Sequence, residues 1–320
     1  MIVTSCPLRI SLVGGSTDHP HFIQKYGHGS VISFPSTLRT YITIHQDVFG
    51  SNSIDHNYHI NYSKRETVKR VSDIQNELVR HCMEYFDVDQ INLSLTSDIY
   101  SAGSGLAASS SYLQALVKAI HVMKGAHITE FEVCKLAEQI EKKINPLVGQ
   151  QDFYGSMGGL KRINFSKDSD PEIKYLDTRI FKELNCYLMY TGILRNSTPV
   201  LESLNIDKSF PMLTDVSLLE KAINDVDVEQ FNRVINQAWE TKKSTSNLIC
   251  DNEVLKQIDS RLTNDDRILS HKLCGAGNGG YFLIFSNKNI DLSGYDMIKQ
   301  IGISETGLKY INLKNEFTKL

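Results

Sequence analysis

The chain has 320 residues, 37 acidic and 34 basic, for a formal net charge of −3. That balance excludes a dedicated nucleic-acid binder, which carries a basic excess, and the length, at about 150 residues per domain, predicts two domains. No apolar run exceeds five residues, far short of the roughly 20 a membrane-spanning helix needs. The opening MIVTSCPLRISLVGG lacks the charged region and long apolar stretch of a secretory leader. The expectation is a cytoplasmic protein with neither nucleic-acid nor membrane partners. Cys6, Cys82, Cys134, Cys186, Cys250 and Cys274 are scattered with no C-x-x-C pair, so they read as incidental thiols, not a zinc site or disulfide scaffold.

In chain order, residues 2–13 predict a strand, with Ile10 and Leu12 alternating with Arg9 and Ser11 before Gly14-Gly15 ends it. Further strand is expected within 30–46. Val68, Val71, Ile74, Leu78 and Cys82, at three- and four-residue steps, predict a helix over 66–86. Ile91–Leu95 alternates as a strand. A Gly/Ser/Ala-rich loop at 101–111 then enters a helix reaching about Lys124, with Leu113, Leu116, Val117 and Ile120 on one face. The helix over 129–144 opens with Thr129 as N-cap and Glu132 three residues on, and Asn145-Pro146 stops it. Strands at 158–166 and 184–190 flank a polar turn. Helices follow at about 212–224, 227–249 and 252–262, then a glycine-rich loop from Lys272 into the strand Tyr281–Phe285. The domain boundary is placed near residue 180, dividing the chain into 1–180 and 181–320.

Two glycine-rich segments carry the chemistry. Gly103-Ser104-Gly105-Leu106-Ala107-Ala108-Ser109-Ser110 lies between a strand and a helix, where exposed backbone N–H groups and the helix start suit a phosphate. It has no Gly-Lys-Ser/Thr, so it is not a Walker A loop, and it lacks the third glycine of the dinucleotide fingerprint. A plain strand–helix turn explains the loop equally well. Lys272–Gly280 holds four glycines in six positions, more than a structural turn needs; close approach to a ligand or to another backbone is the better reason.

With Pro7-Leu8-Arg9-Ile10-Ser11-Leu12-Val13-Gly14-Gly15-Ser16-Thr17-Asp18, these two segments resemble, in order and spacing, the galactokinase–homoserine kinase–mevalonate kinase–phosphomevalonate kinase (GHMP) superfamily. Gly149-Gln150-Gln151-Asp152-x-Tyr154 and Tyr190-Thr191-Gly192-x-x-Arg195-x-Ser197 are similar to its bacterial heptose 7-phosphate kinases. The resemblance spans nearly the whole chain. It implies an α+β fold of two domains, the first like ribosomal S5 domain 2 and the second ferredoxin-like. It also implies an ATP-dependent, Mg²⁺-assisted kinase acting on the anomeric hydroxyl of a sugar or sugar phosphate; the sequence leaves the oligomeric state open, a homodimer among the alternatives.

Carried over residue by residue, the resemblance implies Asp152 as the group that orients the attacked hydroxyl and accepts its proton, set against an ordinary capping aspartate. Arg9 would stand beside it and offset phosphate charge. Gly103, Ser104, Gly105, Leu106, Ala107, Ala108, Ser109 and Ser110 would hold the ATP phosphates, and Ser109 with Glu141 would hold Mg²⁺. Glu138 is close enough to exchange places with Glu141, and a surface Glu–Lys pair is the plainer alternative. Gly14, Gly15, Thr17, Asp18, Arg195, Gly275, Ala276 and Gly277 would meet the sugar. Lys25, Arg39, Lys64 and Arg195 are candidates for a 7-phosphate subsite.

The chain departs from the family at Ala107 and Asn278, each standing for a glycine, and at Ala108, which removes a hydroxyl. These departures motivate the rival expectation of a non-catalytic sugar or nucleotide sensor; another GHMP sugar kinase, fucokinase- or galactokinase-like, is the nearer alternative. Asp18-His19-Pro20-His21 invites a metal reading, but two histidines without a third ligand in reach read as polar surface.

Overall fold

The computed structural model describes residues 1–46, 55–100, 103–194 and 197–313. Among them, twelve strands form two sheets. The larger has the order β12 (Lys309–Asn312), β1 (Ile2–Val13), β2 (His28–His45), β5 (Asn92–Ser97), β3 (Tyr58–Asn61), β4 (Arg65–Val68). The long β2 is its spine: residues 28–33 also pair with β6 (Lys161–Ser166), which pairs with β7 (Glu172–Tyr175), while residues 40–45 pair with β5. The smaller sheet is antiparallel, in the order β11 (Ile298–Ile301), β8 (Leu184–Tyr190), β10 (Tyr281–Asn287), β9 (Ile268–Leu273).

Helices α2 (Glu77–Phe86), α3 (Ala108–Met123) and α4 (Glu130–Glu141) cover one face of the large sheet, sharing a core with Ile42, Ile44, Leu93 and Leu95. The other face of β1 and β2 packs Leu8, Ile10, Leu12 and Phe34 against the small sheet and against α7 (Met212–Asp225) and α8 (Val228–Thr245). Strand β1 is thus buried along nearly its whole length, including the polar Arg9 and Ser11. Register shifts between Pro7 and Arg9, and between Ser11 and Val13, bracket these two residues, as bulges do where a strand must re-aim side chains. Shorter helices α1 (Pro20–Tyr26), α5 (Gln151–Tyr154), α6 (Ser197–Glu202) and α9 (Glu253–Thr263) complete the described chain. The place near residue 180 falls where the chain leaves the first sheet for the second; β12 then returns to the first sheet against β1.

The capping box at Thr129 and Glu132 forms as expected. The helix expected over 66–86 does not: Arg65–Val68 is a strand, Val71–Asp73 a 3₁₀ turn, and the helix starts only at Glu77 under an Asn76 cap. The cause is Glu66. Its buried carboxylate accepts from Tyr62 Oη and from the backbone N–H groups of Gln75 and Asn76, folding the segment back on itself in a way periodicity does not register. Similarly, Lys272 and Leu273 end strand β9 instead of opening the loop.

Candidate active site

Asp152 lies in the first turn of the four-residue helix α5. Arg9 Nε donates to its Oδ1 at 3.0 Å, and Nη2 donates to the same oxygen. Nη1 donates to the Gly105 carbonyl at 2.9 Å. One guanidinium therefore ties β1, the first glycine loop and α5 together. Arg9 is 4% exposed and Asp152 22%, so the arginine is a fixed wall element, not a solvent-facing strand residue, and the carboxylate keeps an open edge towards a cavity.

That cavity, about 490 Å³, is walled by Arg9, Asp152, Asp18, Glu141, the loop from Gly103 to Ser109, and Gly275 and Ala276 of the late loop. Sequence motifs from four distant parts of the chain thus meet in one space. Ser109 and Ser110 stand in the first turn of α3, and their hydroxyls donate to Glu141 Oε1 and Oε2, both at 2.7 Å. Burial pushes the Glu141 carboxyl up to about 7, against the lowering by the two serines; a cation beside it would offset that penalty. Glu138 is the residue paired with lysine: Lys142 and Gln150 donate to it, which settles which glutamate faces the loop. The buried Glu141 and the exposed Ser109 together offer oxygen ligands on the cavity wall, and this fits Mg²⁺, which shares oxygen ligands with nucleotide phosphates.

Asp18 is buried in the wall beside α5, where Gln151 donates to it from its backbone N–H at 3.2 Å and from Nε2 at 3.0 Å. Burial, then the nearby Asp152 charge, raises its pKa to about 6. Gly149 must lack a side chain here, because a Cβ would stand 2.2 Å from Asp18 Oδ2. Gly15 lines the cavity. Gly14 and Thr17 do not: Thr17 Oγ1 donates to the Gly14 and Ser30 carbonyls, and a Cβ on Gly14 would meet Ser30 O at 2.1 Å. They fix the turn that presents Asp18, so their expected contact with sugar is corrected to a supporting place. Leu106 and Ser110 likewise sit behind the wall, and Gly277 faces Ile249. Ser101, Ala102 and Arg195, which the sequence singled out, lie outside the described residues.

The two glycine loops touch. A Cβ on Gly105 would be 2.7 Å from Cys274 O, and one on Gly280 would be 2.4 Å from Ser104 O. Close approach of backbone to backbone is thus one reason for these glycines. Ala107 caps α3 in the left-handed region, φ 56° and ψ 41°, and Asn278 does likewise at φ 60°; both hold the conformation that a glycine adopts without strain.

Two lysines missed in the sequence line the cavity. Lys272 Nζ donates to the Ser11 and Leu12 carbonyls at 3.1 and 2.6 Å, and burial lowers its pKa to about 8. Lys242 donates to the Gly275 carbonyl. The lysine of α8 follows Ile235, Ala238 and Trp239 at three- and four-residue steps on the buried stripe, a signal that could have found it. Lys25 and Arg39 are engaged elsewhere, with Asp207 and with Ser5 and Gly307, and Lys64 is exposed in a turn; none of the three is on the wall. The histidines also differ from expectation: His21 is exposed, but His19 is buried and lines the cavity.

Residues 66–159 match the GHMP kinases N terminal domain. D-glycero-alpha-D-manno-heptose 7-phosphate kinase of Campylobacter jejuni is 27% identical over 94% of this chain and 93% of its own. L-fucokinase/L-fucose-1-P guanylyltransferase of Bacteroides fragilis is 27% identical over 56% of this chain, which spans 20% of that protein. The solved D-glycero-D-manno-heptose 1-phosphate kinase of Bacteroides thetaiotaomicron has the same fold, with a TM-score of 0.76 at 19% identity, covering 98% of this chain and 99% of its own. Residues 66–159 thus carry the match to the GHMP kinases N terminal domain, and the whole chain shares the two-sheet α+β fold of the solved heptose kinase.

Proposed function

We propose that the protein is an ATP-dependent sugar kinase that transfers the γ-phosphoryl group to the anomeric hydroxyl of a sugar, with D-glycero-D-manno-heptose 7-phosphate as the first candidate and the 1,7-bisphosphate as its product. The observation that carries this reading is the Asp152–Arg9 pair, set in one cavity between the glycine loop and Asp18.

Asp152 Oδ1 is held by Arg9, which leaves Oδ2 to accept the proton of the attacked hydroxyl. Asp18 would orient the sugar beside Asp152, and the N-terminal end of α3 would receive the phosphates with its backbone N–H groups. Ser109 and Glu141 would hold Mg²⁺, which when bound neutralises charge on the nucleotide phosphates. The chain's own part is positioning and charge placement, with no covalent intermediate on the protein. The sensor reading is not favoured, because the residues assigned to base, cation and metal ligand all line the same space.

The test is ADP release across D-glycero-D-manno-heptose 7-phosphate, L-fucose and D-galactose, repeated with Asp152→Asn. Asparagine can still accept from Arg9, so the fold should persist while kcat falls by about 10²- to 10⁴-fold. Near wild-type turnover in the variant would remove Asp152 from the chemistry.

A further inference from the structure

His19 precedes α1 as its N-cap, and its Nδ1 accepts from the His21 backbone N–H at 3.3 Å. A ring nitrogen that accepts carries no proton, so in the neutral ring the proton sits on Nε2 and that nitrogen is a donor. Burial, then the charge of His21, lowers the His19 pKa to about 4, which keeps the ring neutral. The side chain is 3% exposed and forms part of the cavity wall, yet Nε2 has no partner. Two neighbours on the same wall share that condition: Ser11 Oγ and Gln151 Oε1 are also buried without partners. A buried polar atom left unpaired is disfavoured by about 1–3 kcal/mol, and three on one wall of one cavity are not explained by packing.

We propose that His19 is a specificity-determining residue that donates from Nε2 to a hydroxyl of the acceptor, alongside the carboxylate of Asp18. The inference rests on the sugar-kinase reading above. The chemistry selects a hydroxyl over the other ligands. A protonated Nε2 cannot ligate a metal. A phosphate would meet Asp18 and Asp152 on the same wall, together with the acceptor Gln151 Oε1. A sugar hydroxyl both accepts and donates, so it can take the proton of His19 and give its own to Asp18 or Gln151. The unpaired set is therefore a reader of neighbouring hydroxyls, and the substrate class is a polyol presented by its uncharged end.

The cap and the reader can be separated. His19→Asn keeps an acceptor for the His21 N–H, and asparagine is among the best N-caps, but it has nothing in place of Nε2. The expected result on the full chain is a sugar KM raised roughly 2- to 12-fold, the worth of one neutral hydrogen bond, with ATP KM and thermal midpoint unchanged. A monodeoxy series of whichever panel sugar the wild type phosphorylates should contain one analogue that loses the same factor on the wild type and nothing further on His19→Asn. His19→Gln, which restores an N–H at similar reach, should recover part of the loss. A wild-type enzyme that phosphorylates a panel sugar while His19→Asn shows the same sugar KM and the same deoxy profile overturns the proposal and leaves the kinase reading standing. A wild type that phosphorylates none of the three sugars overturns both.

Discussion

Replacing Gly105 by alanine tests whether the two glycine loops depend on each other. Gly105 has φ +81°, and an added Cβ would lie 2.7 Å from Cys274 O, 2.9 Å from the carbonyl carbon and 3.3 Å from Gly275 N. To reach an ordinary 3.4 Å contact with that oxygen, one backbone must retreat by about 0.7 Å, the difference between the two distances. The left-handed conformation costs a residue with a Cβ about 1–2 kcal/mol, and overpacking a close-packed contact about 1–3 kcal/mol. Gly105→Ala should therefore lose about 2–5 kcal/mol from a total that is typically about 5–15 kcal/mol. Gly27 is the matched control: it has φ +80° with nothing within 4 Å of its added Cβ, so Gly27→Ala carries only the conformational part. Urea unfolding of the two variants, compared at unchanged m, isolates the collision. The collision also moves the Gly105 carbonyl away from Arg9 Nη1, and with it the anchor of Asp152, so kcat/KM for ATP should fall about tenfold or more, each 1.36 kcal/mol being a factor of ten. If Gly105→Ala is no less stable than Gly27→Ala, the loops do not press on each other and the account of their glycines is wrong.

The same loop holds a substitution of opposite sign. Ala107→Gly relieves the left-handed alanine at φ 56° and, after the entropy that glycine adds to the unfolded chain, should raise stability by about 0.5–1 kcal/mol; a lower urea midpoint would contradict it. Lys161 supplies a pH test. It is fully buried, donates to the Gly155 and Met157 carbonyls, and has its pKa lowered to about 7 by burial, partly opposed by Glu130. Between that value and the ordinary lysine pKa of about 10.4, the unfolded chain binds more protons than the folded one, so stability rises with pH across this window. Lys161→Met should remove that rise, and parallel stability–pH curves for the two proteins would rule it out.

Much of the site was legible because its residues sit in short runs with local chemistry. Arg9 and Asp18 share one run and Ser109 another, while Gln151 and Asp152 share a third, and each run brings several of its residues to the cavity wall. The rest depended on what lies across the fold. Alternation in β1 separates Ile10 and Leu12 from Arg9 and Ser11, but it does not show that both faces are covered: α7, α8 and the small sheet bury the apolar set, and Arg9 is buried on the other face against α5 and the glycine loop. The choice between Glu138 and Glu141 turned on Lys142, four residues after Glu138 and bonded to it. His19 was misread because cap geometry, not composition, turns its ring inward. Glu66 misled in the other direction: a single buried carboxylate collecting two backbone N–H groups broke a helix that apolar spacing supported. Periodicity reports which face is apolar; it does not report where a polar side chain finds its partner.

Because Cys274 backs onto Gly105 and Gly280 onto Ser104, the proposed nucleotide seat is assembled from the early and the late polypeptide at once. A growing chain that has emerged only as far as Asp152 already owns every acidic group of the pocket, with Arg9 to hold Gly105, yet lacks the late loop that backs onto the first. Competence therefore arrives late in synthesis, when the closing hairpin docks, and a fragment cut short of that hairpin carries the ingredients of the reaction without the vessel.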